Sequence, residues 1–407
     1  MKPLLKIALR NLGRNRRRSF FSAFALALGF ALLLVMASFI RGEMEGALDA
    51  TIRLQSGHLQ IRATSYDEDK SSLKWEDLIQ DPFSLTAQIK AIPGVKDATP
   101  RLIAGGIVVV RNRSANVRLM GIDPEAPASE PYRQGLLQGS YFSADDREGV
   151  LIGKPLAEKL NLAVGDRFSL SVNTSNGDID EQRFVVRGIY STQTYAFDNA
   201  TLLIPLSKAQ TITRTENYAS LIFILLTDSD QTAAVRAKLA HLPYAILDWK
   251  EMNELILQFE DMANAYMSLF YLIVLAITAS VITNTLIMAV FERTREIGIL
   301  SAIGWRSGEI LRLFLYETGL LTVGGILIGL LLGLAAVSYL ATEGFYIGGM
   351  EMSGFLISDT IYAKLTLSDT LRLMSVTIVI TLLAGLYPAV LAARLEPVDA
   401  LRGGKHA

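Results

Sequence analysis

Cysteine does not occur in this sequence. Its absence excludes disulfides, thiolate metal sites, a cysteine nucleophile and a lipid-modified N-terminal cysteine in one step. Histidine is nearly missing too. His58, His241 and His406 lie far apart, which leaves no histidine cluster for metal binding or catalysis. Charge is absent from long stretches: residues 20–40, 262–291, 318–342 and 373–393 contain no Asp, Glu, Lys or Arg. Each meets the roughly 20-residue length of a helix crossing the hydrocarbon core. With no carboxylate inside these windows, a proton or ion relay has no candidate residue, which argues against ion-coupled transport.

Nucleotide and hydrolase motifs are missing as well. There is no G-x-S-x-G, no H-E-x-x-H and no G-x-G-x-x-G. The nearest approach to a phosphate-binding loop is Gly153-Lys154-Pro155. It has Pro155 where a hydroxyl should reach Mg²⁺ and Glu148 where the first glycine is required. Asp145, Asp146 and Glu148 read as a solvated acidic loop. No basic stripe with interleaved aromatics suggests nucleic acid. The residues therefore predict a protein that is not an enzyme.

What is present is a chain 51% hydrophobic and only 19% charged, with its basic residues placed unevenly. Lys2, Lys6, Arg10, Arg14, Arg16, Arg17 and Arg18 precede the first apolar window without one acid. Arg293, Arg295, Arg306 and Arg312 lie between the second and third windows, and Arg394, Arg402 and Lys405 follow the fourth. The short loop between the third and fourth windows has only Lys364 and Arg372. Positive residues collect on the cytoplasmic side of short loops, so both termini and the 292–317 connector are expected in the cytoplasm.

The expected fold is an α-helical membrane protein with four transmembrane helices and a large α+β extracytoplasmic domain inserted between helices 1 and 2. Residues 1–18 form a cytoplasmic amphipathic helix, with Leu5, Ala8, Leu9 and Leu12 toward lipid and Lys2, Lys6 and Arg10 at the headgroups. Helix 1 covers 19–41, the outer domain with stalk ends 42–261, and helix 2 262–291. The connector and lead-in take 292–317, helix 3 318–342, a second outer loop 343–372, helix 4 373–393 and a cytoplasmic tail 394–407. The first apolar run is longer than a signal-peptide core and lacks a clear cleavage site, so it reads as retained. Met44, Leu48 and Ile52 continue a helical pattern beyond it, and 251–261 precedes helix 2 in the same way, as two stalks.

In the outer domain, alternation and turn residues predict strands at 58–62, 106–111, 116–122, 150–153, 168–172, 183–189, 201–204 and 220–226. Helices are expected at 85–92, 155–160, 206–214 and 229–240. Gly325, Gly329 and Gly333 in helix 3 repeat a small residue every fourth position. Such a face admits a neighbouring helix backbone, within one protomer or across two.

Between helices 2 and 3 runs Glu292-Arg293-Thr294-Arg295-Glu296-Ile297-Gly298-Ile299-Leu300-Ser301-Ala302-Ile303-Gly304-Trp305. This polar connector must lie on one membrane face. Its Glu292–Gly298 part with Ala302-Ile303-Gly304 resembles the signature of FtsX-like ABC permeases, which include lipoprotein-releasing LolC/LolE permeases and MacB-type exporters. Ala8-Leu9-Arg10-Asn11-Leu12 resembles the family's N-terminus. Tyr387-Pro388-Ala389, Ala392-Ala393-Arg394-Leu395 and Pro397-Val398-Asp399-Ala400-Leu401-Arg402 resemble its C-terminal motif. Residues 149–153, Leu156-Ala157 and Val164-Gly165-Asp166 resemble the outer domain of the lipoprotein-releasing branch.

The resemblance implies a bacterial cytoplasmic-membrane permease subunit that binds no cofactor itself, with ATP and Mg held by a partner ATPase dimer. A second permease protomer, the same chain or a paralogue, would complete the complex. Coupling to the ATPase would fall to Glu292, Arg293, Arg295, Glu296, Ile297, Leu300, Ile303 and Gly304. Lipid-anchored cargo would pass by Phe24, Leu28, Leu32, Met267 and Phe270 to a periplasmic carrier. MacB-type exporters carry their ATPase in the same chain, which this sequence does not, so the lipoprotein-releasing branch is the nearer match. Two other functions stay open: an FtsX-like mechanotransmitter acting on a cell-wall hydrolase, and MacB-like efflux of peptides or macrolide-type compounds.

Overall fold

The computed structural model describes residues 2–67, 73–348 and 356–396. The 397–402 part of the C-terminal motif, Lys405 and His406 lie outside the described residues, as does the Lys2 side chain. The chain divides into two compact units. One comprises Met1–Glu43, Glu260–Phe345 and Tyr362–Ala407, the other Met44–Phe259 and Tyr346–Ile361.

The first unit is helical. Its helices are α1 (Lys2–Arg14), α2 (Arg16–Thr51), α3 (Glu254–Glu292), α4 (Thr294–Ala302), α5 (Ser307–Thr342) and α6 (Leu367–Ala393). Of these α2, α3, α5 and α6 are long and apolar enough to cross a membrane. Helices α2 and α3 outrun their charge-free windows, α2 beyond residue 40 and α3 before residue 262. A π-helical turn, Ile52–Ser56, follows α2. At about 1.5 Å per residue, α2 spans roughly 54 Å, well beyond a hydrocarbon core of about 30 Å.

Small residues set the helix spacing. Gly325, Gly329 and Gly333 of α5 lie against Leu26, Ala27 and Leu34 of α2; a Cβ at Gly329 would fall 2.6 Å from the Ala27 carbonyl oxygen. The glycine face is thus used within one protomer. Gly29 of α2 faces Thr278 of α3 in the same way. Hydroxyls add cross-links: Ser22 donates to Thr285 at 2.9 Å and Thr322 to Thr381 at 3.1 Å. Lipid offers no hydrophobic drive for helix association, so close packing and such bonds must supply it. The apolar interior is built from Leu26, Phe30, Leu33 and Leu34 with Leu275, Ile282, Leu321 and Leu373.

The second unit is α+β. Its main strands are β1 (Leu59–Arg62), β2 (Val95–Val110), β3 (Arg113–Ile122), β4 (Leu136–Gly139), β5 (Gly149–Gly153), β6 (Arg167–Asn173), β7 (Ile179–Tyr190), β8 (Thr201–Pro205), β9 (Leu221–Leu226) and β10 (Ala245–Asp248). They form one ten-stranded sheet in the order β10-β1-β9-β2-β3-β8-β5-β7-β4, with β6 pairing both β2 and β7. Only the β3–β8 and β5–β7 pairs within that sheet are parallel. Short helices Pro82–Lys90, Lys154–Leu160 and Leu206–Thr213 accompany it.

Strand β2 is the main departure from the sequence reading, which began it at residue 106. Lys96, Asp97, Thr99, Pro100 and Arg101 mask the apolar alternation of its first half. The fold buries Asp97, Thr99 and Arg101 there almost completely. Arg101 donates to the Leu54 carbonyl at 2.7 Å, and Tyr132 donates to the same oxygen at 2.8 Å. The π-helical turn that ends the first stalk is thereby held by two buried donors. Asn253, just before α3, donates to Ser56 of that turn at 3.3 Å.

The segment between α5 and α6 adds a strap to this unit. Asp359 donates its backbone N–H to the Gln193 carbonyl at 2.7 Å, and its carboxylate accepts from the Tyr195 N–H at 3.2 Å. Beside it, fully buried Asp198 accepts from the Ser191 hydroxyl at 3.0 Å, the Thr192 N–H at 2.9 Å and the Thr192 hydroxyl at 2.8 Å. Burial nonetheless pushes the Asp198 carboxyl up to about 7, with the Asp359 charge adding to the rise.

Candidate coupling site at the connector

The connector begins where Arg293 leaves helical geometry at φ −110° and ψ 14°. Helix α4 then runs to Ala302 and is stopped by Gly304 at φ +104°. There the Trp305 N–H returns to Leu300 O and the Gly304 N–H to Ser301 O, a Schellman closure that favours glycine at this position. The next helix opens with Glu309 accepting from the Arg306 N–H at 3.0 Å. Gly304 is therefore a turn residue, set by backbone geometry.

One face of this hairpin is locked to the bundle. Arg293 lies 3.2 Å from Glu317 of α5, with side-chain exposures of 6% and 4%. Asn11 of α1 donates to Glu317 at 2.6 Å, and Arg293 donates to the Asn11 carbonyl at 2.9 Å. Removing a charge pair from water is costly unless geometry and further hydrogen bonds compensate; Asn11 supplies both a donor and an acceptor. Ile297, 4% exposed, packs with Val290, Ile310, Phe314, Ala389 and Ala392. Two exposed ion pairs at the rim, Arg14–Glu296 and Arg18–Glu292, each close to 2.6 Å.

The other face is open. Arg295, Ile299, Ala302 and Ile303 are exposed, Ile303 to 75%. The structure thus divides the eight connector residues read from the sequence. Arg293 and Ile297 are buried in the bundle and cannot present side chains outward. Glu292 and Glu296 are engaged with the basic N-terminal segment, Leu300 is half-buried, and Gly304 makes the turn. Ile299 belongs to the open face, although no pattern in the sequence marks it. Asn11, Arg14, Arg18 and Glu317 were missed as anchors. The available signal was Glu317, a lone acid at the edge of a charge-free window that demands a buried partner.

Phe24, Leu28 and Leu32 of α2 lie at four-residue steps and are exposed. Met267 is buried, and half-buried Phe270 packs against the bundle interior. Exposed large apolar positions nearby on α3 include Tyr266, Leu269, Leu272, Ile273 and Ile277. His58 accepts from the Leu226 N–H, a structural role. Among the described residues no three Asp, Glu or His side chains gather to hold a metal.

Four helices long and apolar enough to cross a membrane, an α+β unit inserted in sequence after the first, and a helical connector between the second and third fit a membrane protein of permease type. Residues 19–242 match the model of the MacB-like periplasmic core domain, and residues 268–397 match the FtsX-like permease C-terminal model. The chain belongs to the FtsX-like ABC transporter permease family. It is 25% identical to the lipoprotein-releasing system transmembrane protein LolE of Haemophilus influenzae, over 94% of this chain and 93% of that one. Identity is 23% to LolC of Neisseria meningitidis serogroup B, over 97% and 98%. The macrolide export ATP-binding/permease protein MacB of Shewanella sp. strain ANA-3 is 24% identical over 98% of this chain, which spans 60% of that relative.

Proposed function

We propose that this chain is the membrane subunit of an ATP-driven complex that extracts lipid-anchored proteins from the outer leaflet of the bacterial inner membrane. Both termini and the connector face the cytoplasm, and the α+β unit lies on the periplasmic side, as the basic flanks require. Two permease protomers pair with two ATPase subunits, which bind ATP and Mg²⁺. Motion of α4 passes through α3 and α2 to the periplasmic unit, which hands the cargo to a soluble carrier. Phe24, Leu28 and Leu32 form an apolar strip along α2 suited to acyl chains.

The observation that carries the reading is the two-sided connector. Its inner face is pinned by the Arg293–Glu317–Asn11 network, and its outer face offers Arg295, Ile299 and Ile303. A lever that transmits force needs both. The likeness to LolE and LolC supports the lipoprotein reading. The MacB-like core domain favours a second reading, efflux of peptides or macrolide-type compounds by the same mechanics.

Ile303→Asp should leave the permease folded and inserted but abolish copurification of the ATPase and its stimulated turnover. Glu296→Lys should weaken both. Ile297→Asp, in contrast, should prevent folding. Normal copurification with Ile303→Asp would remove the coupling assignment. Undiminished lipoprotein release in a strain lacking the ATPase would remove the cargo assignment.

A further inference from the structure

Beside the connector the bundle leaves open a groove of about 520 Å³ between α1, α5 and α6, bounded by Leu5, Tyr316, Leu320, Val323, Ile378 and Leu382. Its lining also includes Gly319, where an added Cβ would meet nothing within 4 Å. This is vacant space along the helices, unlike the Gly325–Gly333 seam, where a Cβ would strike α2. The charged lining residue is Arg312, which is exposed and makes no ion pair among the described residues.

The dimensions are those of one leaflet. From Arg312 to Val323 a helix rises roughly 16 Å, about half of a hydrocarbon core of roughly 30 Å. Arg312 stands at the connector end, just before the charge-free run that begins at Thr318, where the flanking basic residues of a spanning helix meet the phosphates. Tyr316 follows one turn deeper, where aromatic side chains with a polar tip are favoured. Below it the lining is almost entirely apolar. A helix from a second copy laid along this face would cover the Arg312 guanidinium, a cost only an acid in register would offset.

We infer that this groove binds one acyl chain of an anionic phospholipid from the connector-side leaflet, with the lipid phosphate on Arg312. The bound lipid braces α1 against α5 and so supports Asn11 in the network around Glu317.

The test is native mass spectrometry of the full chain, with phosphatidylglycerol titrated against phosphatidylethanolamine. The wild type should retain one phosphatidylglycerol. Arg312→Gln should lower its preference over phosphatidylethanolamine about fivefold, the effect of one basic residue near the membrane surface. Gly319→Phe fills the groove and should abolish retention, whereas Leu331→Phe, on an exposed part of the same helix, should leave it intact. Retention by Gly319→Phe, or equal retention of the two lipids by the wild type, would overturn the inference. So would disulfide-linked dimers through Leu320→Cys, the only thiol the chain would then contain, because they would assign the groove to a second copy.

Discussion

The Arg293 guanidinium and the Glu317 carboxylate, separated by 24 positions in sequence, meet at 3.2 Å with almost no access to solvent. Deleting one partner of such a pair strands the other charge, at a cost of about 3–5 kcal/mol. Glu317→Ala should therefore lower the detergent melting temperature of the full chain sharply. Arg293→Met combined with Glu317→Leu should recover most of that loss. The double variant is still expected to stimulate ATP turnover poorly, because Asn11 no longer ties α1 to the connector. Full stimulation by the double variant would mean that packing alone positions α4.

The seam between α5 and α2 makes a steric prediction. At Gly329 a Cβ would sit 2.6 Å from Ala27 O and 3.0 Å from Ala27 Cα. Backbone cannot yield as a flexible side chain can, so Gly329→Ala should cost about 1–3 kcal/mol, the usual range for overpacking. Gly324, with nothing within 4 Å of its added Cβ, is the control. Gly324→Ala should leave the melting temperature unchanged or slightly higher.

At the end of the first stalk, Leu54 O accepts from both Arg101 and Tyr132. Tyr132→Phe removes one donor and leaves the other, so the loss should be about 1 kcal/mol. Hydrogen exchange over residues 52–57 should quicken accordingly, with the bundle helices unaffected. No change there would show that Arg101 alone suffices.

Acid should tighten the strap around Asp198. Its folded carboxyl titrates at about 7, above the roughly 3.9 of an unfolded aspartate. The folded state therefore holds the extra proton between those limits. The stabilisation is complete below about pH 4 and is lost as pH rises toward 7, by at most about 1.4 kcal/mol per unit. Asp359, also raised by burial, acts in the same direction. Asp146, held low with Arg187 as its partner, acts in the opposite one, so a local readout is needed. Hydrogen exchange over residues 191–200, corrected for intrinsic rates, should slow between pH 8 and pH 5. Asp198→Asn should flatten that dependence, and a variant that kept the full slope would place the titration elsewhere.

Much of this architecture was legible in the residue order. Charge-free runs long enough to span a bilayer announce themselves, because water and lipid impose the same requirement on any such helix. The basic residues beside 20–40 and in 292–317, and the glycines at 325, 329 and 333, are equally local signals. The strand at 95–105 was not legible. Its Asp97 and Arg101 break the apolar alternation, and only the assembled sheet reveals what they bond to.

Sequence alone therefore determined where the helices lie, where the α+β unit is inserted and that a charged connector follows α3. Tertiary structure decided which side of that connector is free. Helical periodicity states which residues share a face, but not which neighbour covers it. Arg293 and Ile297, which the resemblance places in the ATPase contact, are sealed by α1, α5 and α6, and Ile299 and Ile303 are left exposed. The choice rests on contacts between residues hundreds of positions apart, such as Asn11 with Glu317, and no local pattern encodes those.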